Sequence, residues 1–226
     1  MRSNQAFVFD LDGTLVDSVY QHVLAWQEAL DHAGIAVSVW RIHRRIGMSG
    51  GLLAHALLRE TGRQVSPDDA SQLRQLHAEA YRRRLSQVRV LPGARELLAL
   101  LRELDVPWAI ATSGYQETAG PVLDLLDVPP EVPVITRDAV EHAKPDPDLF
   151  FAAAARLNID IANALVIGDS VWDMLAARRA RALGVGFLSG GYGQEELERA
   201  GAYRVYEDPA DLIRHLDEVG IRVPGR

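Results

Sequence analysis

The chain has 226 residues, 48% of them apolar, and a formal net charge of −7, enough for one substantial core or a core with a modest second domain. It has no cysteine, which excludes disulfides, thiol nucleophiles and thiolate metal sites and leaves carboxylates, imidazoles, hydroxyls and amines for chemistry. The acidic balance argues against a nucleic-acid partner, and no apolar run approaches the roughly 20 residues of a membrane span, so no membrane association and a cytoplasmic location are expected.

The first apolar run, Ala6 to Phe9, reads as a buried strand and leads straight into Asp10-Leu11-Asp12-Gly13-Thr14. In a parallel α/β sheet ligands sit beyond the carboxyl ends of the strands. Asp10 is therefore placed to attack a substrate and Asp12 to move protons; taken alone, the motif also fits a calcium-like loop or a solvated turn. From about Asp17 to Ser86 only helical patterns occur. The first is expected to be capped by Asp17 or Ser18, to carry Val23, Trp26, Leu30 and Ala33 on one face, and to stop at Gly34. The last opens on the cap Ser66-Pro67-Asp68-Asp69 and ends near Arg82-Arg83-Arg84, an exposed basic helix end.

This insert, residues 16–86, is expected to be an all-helical cap domain on a core formed by 1–15 and 87–226, with hinges near Val16 and Ser86 to Val90. Its loop Arg41 to Gly51 is the expected specificity element, with Arg45, Ser49 and Gly50 as candidate residues. Arg44 or Arg45 suits a substrate carboxylate or second phosphate, and equally a solvated helix surface.

Beyond the insert, apolar runs at Trp108 to Ala111, Val132 to Ile135, Ala164 to Ile167, Val185 to Leu188 and, more weakly, Tyr203 to Tyr206 alternate with helical patterns at Arg95 to Leu104, Pro147 to Leu157 and Trp172 to Leu183. Such alternation predicts an α/β fold with a doubly wound, Rossmann-like parallel sheet. Thr112, Ser113 and Gly114 follow one strand and suit an anion site, or simply a helix cap. Lys144 is the single lysine among 24 basic residues; a position that keeps lysine against an arginine background points to a need for a compact ammonium. Asp169 and Asp173 follow another strand, on one face of a helical turn. Clustered with Asp10 and Asp12 they would repel one another unless a cation sat among them, and hard oxygen ligands suit Mg²⁺; the alternative is a helix cap.

Together, in this order and each at a strand end, these four elements resemble the haloacid dehalogenase superfamily of phosphohydrolases over nearly the whole chain. The insert and the downstream glycines Gly190, Gly191, Gly193 and Gly201 resemble the phosphoglycolate phosphatase and β-phosphoglucomutase branch. The resemblance implies that Asp10 forms an aspartyl phosphate and that Asp12 protonates the leaving oxygen and then activates water. It further implies that Thr112, Ser113 and Gly114 hold the phosphoryl oxygens, that Lys144 bridges phosphate and Asp10, and that Asp10, Asp12 (through its carbonyl), Asp169 and Asp173 surround the metal.

Asp12 argues against dehalogenation, which needs no proton for a leaving alcohol, and the cap has no lysine for an imine-forming phosphonatase. The expected activity is thus Mg²⁺-dependent hydrolysis of a small phosphorylated metabolite. The alternatives are a phosphosugar mutase or a non-catalytic module that binds a phosphorylated ligand. Tyr20-Gln21-His22 with Ala25-Trp26 resembles the first cap segment of β-phosphoglucomutase, which would put His22 near the site, or else on a helix face against Trp26. The arginine that follows Gly-x-Ser in such mutases is replaced by Gly50. Substrate identity and oligomeric state are left open by the sequence.

Overall fold

A computed structural model describes residues 5–60 and 66–223. Strand β1 (Ala6–Phe9) is followed by the short β2 (Val16–Asp17) and four helices, α1 (Val19–His32), α2 (Val39–His43), α3 (Gly50–Glu60) and α4 (Pro67–Arg82). The chain returns through β3 (Arg89–Val90) and then alternates through α5 (Ala94–Glu103), β4 (Trp108–Ala111), α6 (Gln116–Leu123), β5 (Val134–Ile135), α7 (Asp148–Leu157) and β6 (Ala164–Gly168). It finishes with α8 (Val171–Ala180), β7 (Leu183–Phe187), α9 (Gln194–Ala200), β8 (Ala202–Tyr206) and α10 (Pro209–Arg214).

Six strands form one parallel sheet in the order β5-β4-β1-β6-β7-β8. β1 lies inside it, with Phe7 beside Trp108 on one side and Leu165 on the other. All four β1 residues are buried, the continuous apolar signature of a strand covered on both faces. Side-chain alternation divides them: Phe7 and Phe9 join Leu97, Leu101 and Ile110 in one cluster, while Val8 joins Ala109, Leu149, Phe150 and Ala177 in another. In α5, Ala94, Leu97, Leu98 and Leu101 are buried, the i, i+3, i+4, i+7 stripe of an amphipathic helix. Truncation of the fully buried Leu97 to alanine is expected to cost about 2–5 kcal/mol of unfolding free energy, to be read from urea denaturation.

After β5 the chain crosses to the far side of β1 to make β6. The carboxyl ends of β4, β1 and β6 thus flank a topological switch point, where a doubly wound sheet leaves a crevice.

The helical segment has a cluster of its own, built from Val19, Val23, Trp26 and Leu30 of α1 with Ile42, Leu53, Leu57 and Leu73. Ala33 differs from expectation: α1 ends at His32, so Ala33 is an exposed C-terminal residue, and Ala29 is buried one turn earlier. Ser66 caps α4 as anticipated, and with Asp69 it forms a capping box. From Asp17 to Ser86 the expected absence of strands gives way only at the first residue: β2 and β3 flank the stretch and pair antiparallel, Val16 with Val90 and Asp17 with Arg89. Two residues per strand are too few to create a periodic signal, yet they tie together the segment's two crossings. The triple arginine ends the helix as expected, with Arg82 and Arg83 exposed and Arg84 half-buried; Arg82 pairs with Glu117, and Arg83 and Arg84 both pair with Glu28. Among the described residues no helix is long and apolar enough to cross a membrane.

Candidate active site

Asp10 follows β1 directly, and its backbone N–H donates to the Ile167 carbonyl of β6 at 2.8 Å. Lys144 lies beneath it, wholly buried, with Nζ 2.5 Å from Asp10 Oδ1 and 2.9 Å from Asp173 Oδ1. Asp169 follows β6 and accepts a hydrogen bond from Thr14 Oγ1 at 2.9 Å. A side chain at Gly13 or Gly190 would drive its Cβ to 2.4 or 1.9 Å from Asp169 Oδ2. Gly13 also sits at φ +81°, a region that disfavours residues with a Cβ. Two bare backbone surfaces therefore clamp this carboxylate.

Ligand oxygens of Asp10, Asp169 and Asp173 all lie within 4.8 Å of one another. One ammonium faces three buried carboxylates. Burial, aided by Asp173 and Asp12 and opposed by Lys144, pushes the Asp10 carboxyl up to about 7. Burial and the charges of Asp173 and Asp10 likewise raise Asp169 well above the usual carboxylate range. Burial alone would lower Lys144, but Asp10 and Asp173 outweigh it and hold the ammonium above its ordinary value. The donor set consists of hard oxygens with excess negative charge, which fits a divalent cation of the magnesium type. Asp173 is the most committed member: its Oδ2 accepts from the Ser170 N–H at 3.1 Å in the capping box of α8, and its Oδ1 faces Lys144. It thus belongs both to the helix cap and to the carboxylate cluster.

Asp12 points elsewhere. Its Oδ1 accepts from Ser18 Oγ at 2.6 Å and lies 3.1 Å from His22 Nε2. His22 Nδ1 is in turn 3.1 Å from His77 Nε2, while Tyr81 stacks on His22 at 3.8 Å and Trp26 on His77 at 4.3 Å. Burial would raise Asp12, but the His22 charge and the hydrogen bonds from His22 and Ser18 outweigh it and hold its carboxyl below the usual range. Burial and the neighbouring His22 keep His77 well below an ordinary imidazole. Two carboxylates two residues apart are thus pushed in opposite directions, the pattern expected of an assigned pair of roles.

At the end of β4, Thr112 and Ser113 are buried. The Gly114 N–H is already used, donating to Thr112 Oγ1 at 2.9 Å. Ser113 Oγ is buried with no hydrogen-bond partner among the described residues, a costly state unless a ligand supplies one.

These groups open on a cavity of about 70 Å³ in which Asp10, Asp12, Thr112 and Ser113 meet Trp26, Met48 and His77 of the helical segment. Of the four candidate specificity residues, His22 and Gly50 line it, whereas Arg45 and Ser49 do not. Arg45 pairs with Glu60 and donates to the Arg41 carbonyl at 2.8 Å. Ser49 is buried, its N–H directed to the Lys144 carbonyl at 3.4 Å. Arg44 also faces away from the cavity, toward Glu196 at 2.5 Å and the Tyr192 ring at 4.3 Å.

The backbone around Arg44 seats the helical segment on the sheet domain. Its carbonyl accepts from Tyr192 Oη at 2.9 Å and Trp172 Nε1 at 3.3 Å, and His43 Nε2 lies 2.9 Å from the Gly190 carbonyl. Sequence reasoning missed His77 and Arg74, both lining the cavity from α4. Their i, i+3 spacing was the one available signal.

Residues 5–181 match the family model of haloacid dehalogenase-like hydrolases. The phosphoglycolate phosphatase of Neisseria meningitidis serogroup A is 32% identical over 197 residues, covering 85% of this chain and 83% of its own. Hexitol phosphatase A of Escherichia coli is 30% identical over 178 residues, covering 78% and 79%. The crystal structure of a hydrolase from Pseudomonas syringae superposes with a TM-score of 0.93 at 55% identity, covering 96% of this chain and all of that one. With candidates for a nucleophile, a proton carrier and an anion cradle gathered at one switch point, the chain belongs to the haloacid dehalogenase-like hydrolase family, as a phosphatase.

Proposed function

We propose that this phosphatase is Mg²⁺-dependent and hydrolyses small phosphate monoesters through a phosphoryl group carried on Asp10. The observation that carries the reading is the division of labour between Asp10, paired with Lys144, and Asp12, held by His22 and Ser18, at one cavity. Asp10, Asp169 and the Asp12 carbonyl, with Asp173 beside them, would hold Mg²⁺, which supplies the positive charge that lets an anionic carboxylate approach a phosphate dianion.

The Asp10 carboxylate attacks phosphorus, forming an acyl phosphate as the bond to the alcohol oxygen breaks. Thr112 and Ser113 hold the non-bridging oxygens, and Gly114 shapes the loop. Lys144 neutralises charge as it spreads over the transferring group. Asp12 gives a proton to the leaving oxygen; a phosphate dianion nearby favours its protonated form, because like charge raises a carboxylate pKa. In the second half-reaction Asp12 takes the proton from the attacking water, the phosphorus–Asp10 bond breaks and inorganic phosphate departs. His22 then steadies the carboxylate form that this step requires.

Residues 16–86 act as a cap that opens to admit substrate and closes to exclude water, with the β2/β3 ribbon at the hinge. Solution scattering with and without a phosphate analogue should show a more compact particle when ligand is bound; identical curves would contradict the motion.

The decisive assay is phosphate release from a panel of monoesters with Mg²⁺ and with chelator. Release in both conditions would refute the metal requirement. A mutase would instead turn over without net release and need priming by a bisphosphate. Asp12→Ala is expected to lower kcat by about 10²- to 10⁴-fold, the usual worth of a positioned proton donor and acceptor, and an unchanged rate would remove Asp12 from the chemistry.

A further inference from the structure

Several arginines of the helical segment are committed to carboxylates: Arg44 to Glu196, Arg45 to Glu60, Arg82 to Glu117 and Arg84 to Glu28. Arg74 lines the cavity and forms no ion pair among the described residues. Its guanidinium lies over the Tyr115 ring at 4.5 Å, so an α4 side chain spans from the cap segment to the residue after Gly114. An arginine stacked this way has its plane fixed while its N–H edge stays free for an anion.

The remaining lining offers little else to a polar leaving group. Trp26, Ile46, Met48 and Leu53 are apolar. His22 and His77 are engaged with each other and with Asp12. Thr118 Oγ1 donates to the Tyr115 carbonyl at 3.1 Å, and Glu117 is paired with Arg82. A polyhydroxylated substrate would bring more hydroxyls into this space than Arg74 and Tyr115 could partner, at the usual desolvation cost. A second anionic group on a short, largely apolar frame meets one guanidinium without an ion-pair partner, and otherwise carbon, polar groups already engaged and the Tyr115 residue beneath that guanidinium.

We infer that Arg74 is a specificity-determining residue that binds a second anionic group of the substrate, so that the preferred substrates are phosphate monoesters bearing a carboxylate or a second phosphate on a short apolar frame. This rests on the phosphatase reading above. It moves the anion-recognition role from the Arg41 to Gly51 loop to α4.

The test compares kcat/KM, with Mg²⁺, for phosphoglycolate, propane-1,3-diol bisphosphate, ethyl phosphate and glucose 6-phosphate in the wild type, Arg74→Met and Arg74→Lys. Either probe with a second anionic group should exceed ethyl phosphate by about 10- to 100-fold in the wild type, the scale of a charge-assisted contact, and whichever does so separates the carboxylate from the phosphate source. Methionine keeps much of the stem while removing the charge. The ratio should collapse toward one in Arg74→Met, chiefly through KM, and recover in part in Arg74→Lys.

A wild-type preference that survives in Arg74→Met, or equal use of all four esters, would overturn the assignment. Hydrolysis of none of them by the wild type would refute the phosphatase reading instead. Titration calorimetry then still judges Arg74: phosphoglycolate binding that falls at least about tenfold in Arg74→Met upholds its anion role, and unchanged binding ends it.

Discussion

Asp10→Asn is expected to reduce phosphate release by on the order of 10⁴-fold or more, as loss of a covalent nucleophile does. The amide is nearly isosteric but carries no charge with which to attack phosphorus. Acid-quenched wild-type enzyme should retain covalent phosphate during turnover, and the variant should retain none. A variant within about tenfold of wild type would show that the phosphoryl group never resides on Asp10.

The same substitution has a separate signature in stability. Folding raises the Asp10 carboxyl from 3.8 to about 7, so without metal the folded state holds a proton that the unfolded chain releases. The stability tied to that proton is fully present below pH 3.8 and is lost as pH rises through about 7. Asp169 is raised as well and acts in the same direction. Asp12 and His77, both held low, act in the opposite direction in either protein, so the signature lies in the difference: metal-free wild type should lose thermal stability relative to Asp10→Asn across this range, because Asn imitates the protonated form. Mg²⁺ should restore the wild type most at the alkaline end. A difference in melting temperature between the two proteins that is independent of pH in chelator would contradict the charge crowding.

Lys144→Met is expected to inactivate the enzyme and to destabilise it by about 3–5 kcal/mol, the typical cost of breaking a buried ion pair by removing one partner. Asp10 and Asp173 would be left facing each other without their counter-charge. The double variant Asp10→Asn/Lys144→Met should lose less stability than the two single effects added, because the groups share one interaction. Additive losses in urea denaturation would show that Lys144 matters for packing rather than for charge. Arginine is expected to be a poor substitute, since the position is sealed and a planar guanidinium needs more room than an ammonium.

The sheet was legible because parallel strands covered on both faces must be continuous apolar runs; Ala6–Phe9 and Ala164–Gly168 are wholly buried. Their ends carry the aspartates, so residue order along the chain already pointed to Asp10 and Asp169 meeting. Val132 and Pro133 fall outside β5, which starts at Val134, and the run read as Val185 to Leu188 became Leu183–Phe187. Such shifts at element ends leave the site untouched.

What stayed hidden depends on tertiary geometry. Nothing in the spacing of Arg44 and Arg45 says that Glu196 and Glu60 will neutralise them, and nothing local distinguishes Arg74 as the arginine left over. His22 could be suspected, but its link to His77 spans 55 positions and exists only because α1 packs against α4. Asp173 was read as either a helix cap or a metal neighbour, and one carboxylate makes the cap while also facing Lys144.

The lone, sealed Lys144 has one more consequence, for covalent labelling. No other side chain in the sequence carries a primary amine, and this one is inaccessible and firmly protonated in the folded protein. Acylating reagents can therefore modify an ε-amine only in molecules whose sheet has opened around residue 144. The rate at which that adduct accumulates becomes a direct clock for opening of the catalytic centre, read by mass at a single site with no engineered probe.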